Sequence, residues 1–334
     1  MINTCFADLT NDFPEIQSRW SSYGHSDVLP TVTPESVAKK LLSIQSNKAP
    51  GPNDPYLKII KMFAHFFAIP LANIFNASFV QKVFPKLWKE FYLAPIPKVE
   101  PCTNLDEIRP IALTSTISKI QESYVVDWMY DDIESTICKE QYGGVPRSSA
   151  VLVLVHLLHK WNKALDLSQR VIRIVFLDFR KAFDLIDYNV LLDNCCKIGV
   201  RSGLISWLGS YLSKRMQVTR FGNELSTSCM INGGVLQGSR IGPIAFLVHI
   251  NGLKAVIKDT ESTVVKTCKK CGKQNYYFAK AILGLKACEE LKVIRRVEEI
   301  SKTANAEFEA YEYVFSTGGI RCLPVTHHIE IAKT

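Results

Sequence analysis

The hydrophobic and polar positions divide the chain into alternating helical and extended stretches. Thr33, Pro34 and Glu35 supply a capping hydroxyl, a proline at the first helical position and a first-turn acid, and Val37, Leu41 and Ile44 follow at helical spacing. The loop Lys48–Pro55 ends that helix, because its prolines remove donors and Gly51 permits unusual backbone angles. Helices are predicted over 56–82, about 117–137 and 148–166. Residues 91–98, FYLAPIPK, predict a strand broken by prolines and suited to a sheet edge. Val171–Leu177 is β-branched and apolar, as expected of a strand covered on both faces, and it ends at Asp178. Strands 216–221 and 225–231 flank Gly222-Asn223-Glu224 as a hairpin, and Gly233-Gly234 leads into an apolar helix near 241–252. Residues 1–32 read as a poorly ordered N-terminal arm. Beyond 257 the pattern changes to CxxC followed by a charge-laced helix near 278–300.

A length of 334 residues exceeds the usual single-core limit, so at least two packed units are expected. The division predicted is 1–32, 33–256 and 257–334, in an α+β fold. With 47% hydrophobic and 22% charged residues the composition is globular and excludes wholesale disorder and collagen-like repeats. The net charge of +8 favours anionic partners such as nucleic acid without requiring one. Ten cysteines, two of them adjacent at Cys195-Cys196, suit reduced thiols and an intracellular setting, cytoplasmic or nuclear. The N-terminus has neither a basic nor an apolar signal-peptide region, and the most apolar run, Met62–Val80, is interrupted by His65, Pro70, Asn73 and Asn76. No membrane span is predicted.

The strongest chemical signal is Val175-Phe176-Leu177-Asp178-Phe179-Arg180-Lys181-Ala182-Phe183-Asp184. An acid at the carboxyl end of a buried strand suits a divalent cation, which needs fixed carboxylate oxygens, while helix capping is the plainer role for Asp178. Asp184 reads as a cap or turn acid. Tyr130-Asp131-Asp132 spells an aromatic and two aspartates, but Val125, Trp128 and Met129 put these letters on a helix, where a solvated face is expected. Cys268-x-x-Cys271 could bind Zn2+ as one knuckle of a ribbon or remain a reduced pair in a hairpin.

LDFRKAFD resembles the first catalytic motif of reverse transcriptases encoded by non-LTR, LINE-like retrotransposons of the jockey and CR1 type. Further blocks follow in that family's order: KAPGPND, LAPIPK, IRPIALTSTISKIQE, QYGGVPRSSA and GGVLQGSRIGPIAFLVHIN. The resemblance covers about two thirds of the chain and implies a right-hand fold of fingers and palm. It implies Asp178 as a catalytic, Mg2+-binding aspartate assisted by the Phe179 carbonyl. Phe183 would gate the nucleotide sugar, Lys98 and Arg109 would hold the triphosphate, and Gln237 and Gly238 would line the nucleotide and template side. Taken singly, Phe183 reads as core, Lys98 and Arg109 as solvated charges, and Gln237-Gly238 as a helix entry. The implied partners are an RNA template, an RNA–DNA duplex and deoxynucleoside triphosphates, and the implied activity is nucleotidyl transfer.

Two departures qualify the resemblance. Leu236 stands where the family usually has proline, and no aspartate follows Asp259, so the aromatic-x-Asp-Asp hairpin expected after Asn251-Gly252 is missing. Two-metal catalysis needs both ions held about 3.5–4 Å apart, which one aspartate and a carbonyl cannot do. The expectation is a truncated or divergent product impaired in polymerisation, with no recognisable thumb. Its alternative is a non-catalytic module that binds nucleic acid or protein, with zinc in the tail. Loss of the hairpin should leave a free palm edge or recruit Ser262–Thr267, and Asp178 should end a strand beside the 216–231 hairpin.

Overall fold

The computed structural model describes residues 2–24, 26–167, 175–179, 181–252, 265–270 and 277–283. They form a mixed α+β protein of two compact units, the first Met1–Thr136 with Phe183–His249 and the second Ile137–Ala182 with Ile250–Thr334. Among the described residues no helix is long and apolar enough to cross a membrane.

The first unit is built on a five-stranded sheet. Strands β1 (Glu90–Pro97) and β2 (Ile108–Leu113) pair antiparallel, β1 pairs in parallel with β4 (Arg215–Phe221), and β4 pairs with both β5 (Glu224–Leu225) and β6 (Cys229–Ile231). The prolines of β1 lie at Pro95 and Pro97, opposite Pro110 and Ile108, towards the open end of the ribbon. Alternation then sends Phe91 and Leu93 of β1, Ala112 of β2 and Ile231 of β6 into one buried cluster.

Helix α1 (Ile2–Asp8) covers that cluster with Phe6 and Ala7, and Trp20 on α2 (Arg19–Ser22) is only 2% exposed. Within residues 1–32, which read as an arm, Phe6, Ala7, Thr10 and Trp20 are therefore buried. Phe6 and Ala7 meet the apolar cluster of β1, β2 and β6, and burial of that surface outweighs their weak helical pattern. Helix α3 (Pro34–Leu42) starts as predicted, with Thr33 Oγ1 accepting the Ser36 N–H at 3.3 Å. The region 56–82 is two helices, α4 (Leu57–Met62) and α5 (Ala64–Gln81), separated at Phe63, which leaves helical angles with φ −102° and ψ 30°.

Helix α6 (Thr116–Ile133) is held at both ends of its first two turns. The Asp54 carboxylate accepts the Thr116 N–H at 2.8 Å and the hydroxyls of Ser115 and Thr116 at 2.9 and 2.8 Å, and it also accepts the Gly51 N–H. Gly51 sits so close to the chain that a Cβ would lie 2.4 Å from the Thr114 carbonyl carbon. One turn on, Glu122 is fully buried and accepts from Ser118 Oγ at 2.7 Å and from the Arg240 N–H at 2.7 Å. At the far end Asp132 receives the Arg201 guanidinium Nε at 2.9 Å and its N–H at 3.0 Å, so this aspartate joins α6 to α9 (Ser202–Leu212) while Asp131 is exposed. The preceding α8 (Tyr188–Ile198), absent from the sequence reading, is capped by Asp187, which accepts from Asn189 and Val190. Helix α10 (Ile241–Asn251) closes the order.

The second unit contains α7 (Ala150–Leu167) and a sheet of β3 (Val175–Asp178), β8 (Tyr277–Leu283) and β7 (Val265–Lys270), in the order β3-β8-β7. Two expectations change here. Strand β3 pairs with β8, with Asp178 in register with Lys280, rather than with the 216–231 ribbon, whose β4 is already paired with β1. Residues 277–283 are a strand and not the start of a helix, because the edge of β3 offers a ladder of unpaired donors and acceptors that an aromatic and aliphatic run satisfies. Residues 284–300 of that expected helix lie outside the described residues. The 262–267 segment contributes Val265–Thr267 to β7, which is one strand removed from β3.

Replacing Asp54 with alanine removes the cap of α6 and its two hydroxyl partners together. Urea denaturation should show a loss of about 1–3 kcal/mol. A second prediction concerns Lys89, whose ammonium donates to the carbonyls of Ser210 and Ser213 at 2.6 and 3.0 Å. Burial, with Arg215 and Lys214 nearby, pushes it down to about 8. The unfolded lysine titrates near about 10.4, so between these values the unfolded chain binds the extra proton, and stability rises with pH from about 8 to about 10. Melting temperatures of Lys89→Met across that window should lack this rise.

Candidate functional site

The predicted site residues divide between the two units. Asp178 ends β3 in the second unit and Phe179 follows it there. Lys98, Arg109, Phe183, Gln237 and Gly238 all belong to the first.

Within the first unit, backbone hydrogen bonds bring segments 183–187 and 233–238 together. Val235 N–H donates to the Phe183 carbonyl at 2.7 Å, Gly234 N–H to the Ile186 carbonyl at 2.8 Å, and Tyr188 Oη to the Gly233 carbonyl at 3.0 Å. The Gln237 carbonyl accepts the Ala112 N–H at 2.7 Å, which fastens the same turn to β2. Gly238 then adopts φ +127°, and a Cβ there would fall 2.4 Å from the Ala112 carbonyl oxygen. Glycine meets both demands, since only it takes that angle at little cost and lets the two backbones touch. The Ser239 hydroxyl accepts the Gly242 N–H at 2.9 Å and starts α10.

The Gln237 amide nitrogen donates to both oxygens of Asp184 at 3.3 Å. Asp184, which read as a cap or turn acid, is thus the group that orients Gln237. The only sequence signal for it was its place six residues after Asp178. This pair lines a cleft whose other lining residues include the polar Gln217 and the apolar Phe6, Phe91 and Leu93. Phe183 is 6% exposed and stacks on Phe246, with ring centroids 5.2 Å apart and an interplanar angle of 21°. Leu236 is buried in the cluster of Phe6, Phe91 and Ala112.

Lys98 and Arg109 stand at the end of the β1–β2 ribbon. The Lys98 N–H donates to the Glu107 carbonyl at 2.7 Å and Arg109 is in register with Ile96, so the two cations are diagonal neighbours on one face. Glu107 accepts the Thr103 and Asn104 N–H groups at 2.8 and 3.1 Å, and these bonds hold its carboxyl below the usual range. The loop between the strands is thereby tied back on itself.

A two-metal centre needs several carboxylates in one place. Among the described residues no group of three or more His, Cys, Asp or Glu side chains is placed to hold an ion. Among the described residues none of these groups fits a two-metal site. Cys268 is in β7, and Cys271 lies outside the described residues.

The family model described as reverse transcriptase (RNA-dependent DNA polymerase) matches residues 96–276. In Drosophila melanogaster, the "Probable RNA-directed DNA polymerase from transposon BS" is 27% identical over 216 residues, 64% of this chain and 24% of that one. The "RNA-directed DNA polymerase from mobile element jockey" of the same organism is 27% identical over 241 residues, 70% of this chain and 26% of that one. The chain thus spans about a quarter of the length of the curated relatives it matches. A solved apo telomerase from Candida tropicalis, truncated from its C-terminal domain, aligns with a TM-score of 0.43 and 13% identity over 80% of this chain and 60% of that one.

Gly238→Ala should cost at least about 2 kcal/mol in chemical denaturation, because it adds both a forbidden angle and a backbone clash. An Ala at 222, also a positive-φ glycine at 60° but with open space around it, should cost less.

Proposed function

Because the chain belongs to the reverse transcriptase (RNA-dependent DNA polymerase) family, we propose that it is the fingers and part of the palm of a non-LTR retrotransposon enzyme, and that it binds an RNA–DNA duplex and a deoxynucleoside triphosphate. The observation that carries this reading is the meeting of blocks far apart in sequence. The Gln237-Gly238 turn is bonded to β2, three residues from Arg109, and to the segment that begins with Phe183. Lys98 and Arg109 have the length and charge to receive phosphate oxygens from one face of their ribbon. Gln237, whose amide nitrogen is held by Asp184, lines the cleft, while Phe183 is buried against Phe246 behind the same turn and would act on the nucleotide side through that packing.

We further propose that this chain polymerises poorly. Mg2+ chemistry in the family serves the attacking and leaving oxygens of phosphoryl transfer, and here Asp178 is the single family-matched carboxylate, with no aspartate after residue 259. Binding needs none of these groups. Phosphate neutralisation by Lys and Arg is independent of metal, so duplex affinity should fall steeply with salt.

Primer extension on an RNA template with Mg2+ tests the catalytic half. The expected result is no extension above that of Asp178→Asn; robust extension lost in that variant would overturn the claim of impairment. Equilibrium titrations test the binding half. Lys98→Ala combined with Arg109→Ala should weaken nucleotide binding more than duplex binding, and equal losses would sink the assignment of these cations to the triphosphate.

A further inference from the structure

Residues 2–13 lie outside the stretch matched by the family model, yet two of them, Phe6 and Thr10, line the cleft that Asp184 and Gln237 also line. Asn3, 4% exposed, fixes how α1 sits. Its amide donates to the carbonyls of Thr227 at 2.7 Å and Gln217 at 3.3 Å, while its Oδ1 accepts from Gln217 Nε2 at 2.9 Å and Thr219 Oγ1 at 3.0 Å. Two donors and two acceptor positions are all used, so rotating α1 would break a complete buried set. In that orientation Phe6 packs in one cluster with Leu236 and Ala112. Leu236 is the residue before Gln237, and Ala112 holds the Gln237 carbonyl. The other end of the turn is held as well, since Thr10 Oγ1 accepts the Asn232 N–H at 3.4 Å and Phe13 lies where a Cβ on Gly233 would be, 2.4 Å from its Cδ2.

Leu236 has no ring to restrict its own φ, so the backbone angle that aims Gln237 must be held from outside. We propose that Phe6, seated by Asn3, is a positioning residue for Gln237: it fixes Leu236 and Ala112, and through them the direction of the Gln237 side chain towards Asp184. The N-terminal segment is then a working part of the nucleotide side of the site. This inference rests on the reading of Gln237 as a nucleotide-side residue.

The test is a double-mutant cycle on the full chain with Phe6→Ala and Gln237→Ala, reading deoxynucleoside triphosphate affinity with a primed RNA–DNA duplex bound. Phe6→Ala should weaken nucleotide binding about tenfold, leave duplex affinity within about twofold, and cause no further loss on the Gln237→Ala background. Phe6→Leu, which keeps apolar bulk and secures a folded variant, should restore most of the affinity. Additive losses in the cycle would overturn the proposal. A second readout separates it from the functional reading: the Gln237 side-chain amide signal in NMR should shift and lose exchange protection in Phe6→Ala, and should stay near its original position in Phe6→Leu. An amide signal unmoved by Phe6→Ala defeats the positioning role. A shifted signal in a chain that binds no nucleotide leaves the positioning role standing and defeats the functional reading instead.

Discussion

A carboxyl group without access to solvent organises the first unit. Glu122 sits on α6 fully buried, and its two oxygens are taken by Ser118 and by the Arg240 backbone. Burying such a group is costly unless its acceptors are filled, so α6 and the turn into α10 must meet at this point or lose several kcal/mol by order of magnitude. The neighbouring Lys119 is half-buried, and its desolvation pulls its ammonium below the usual lysine range. Polar groups placed deep in this way specify one docking geometry, whereas an apolar contact would tolerate several.

From that fixed point the site follows. With α6 held to Arg240, the residues just before it, Gln237-Gly238, are brought against β2, and the Ala112 N–H completes the contact. The first end of α6 is set by Asp54, which places the Gly51 loop on the same corner. Three blocks that read as separate motifs are therefore one hydrogen-bonded assembly. Each motif supplies a group whose partner lies in another, so none of them needs to be stable alone.

The outside of the first unit has a different character. Met62, Phe66 and Ile69 on α4 and α5 are exposed by 71%, 78% and 58%, and α5 is apolar around most of its circumference. Surface of this kind exceeds what scattered exposed residues explain. It is the structural counterpart of the most apolar run of the sequence, Met62–Val80, which Pro70 and the polar interruptions set apart from a membrane span.

Much of the local architecture was legible in the sequence, because it depends on neighbours. Thr33-Pro34-Glu35 starts α3, the Gly222 turn joins β4 to β5, and the β-branched run ends at Asp178 as its composition implied. The order of the motifs also identified the family, which the match over 96–276 shows. Tertiary structure decided what depends on distant partners. Asp184 looked like a turn acid because its partner Gln237 is 53 residues away. Asp132 looked solvated because Arg201 is 69 residues away. The first residues looked like an arm because Asn3 finds its hydrogen bonds more than 200 residues along the chain. Residues 277–283 turned from helix to strand because the open edge of β3 outweighed their own propensity. A sequence shows which groups are present and how they repeat; only the fold determines which of them meet, since the free energy of a buried polar contact belongs to the pair and not to either residue.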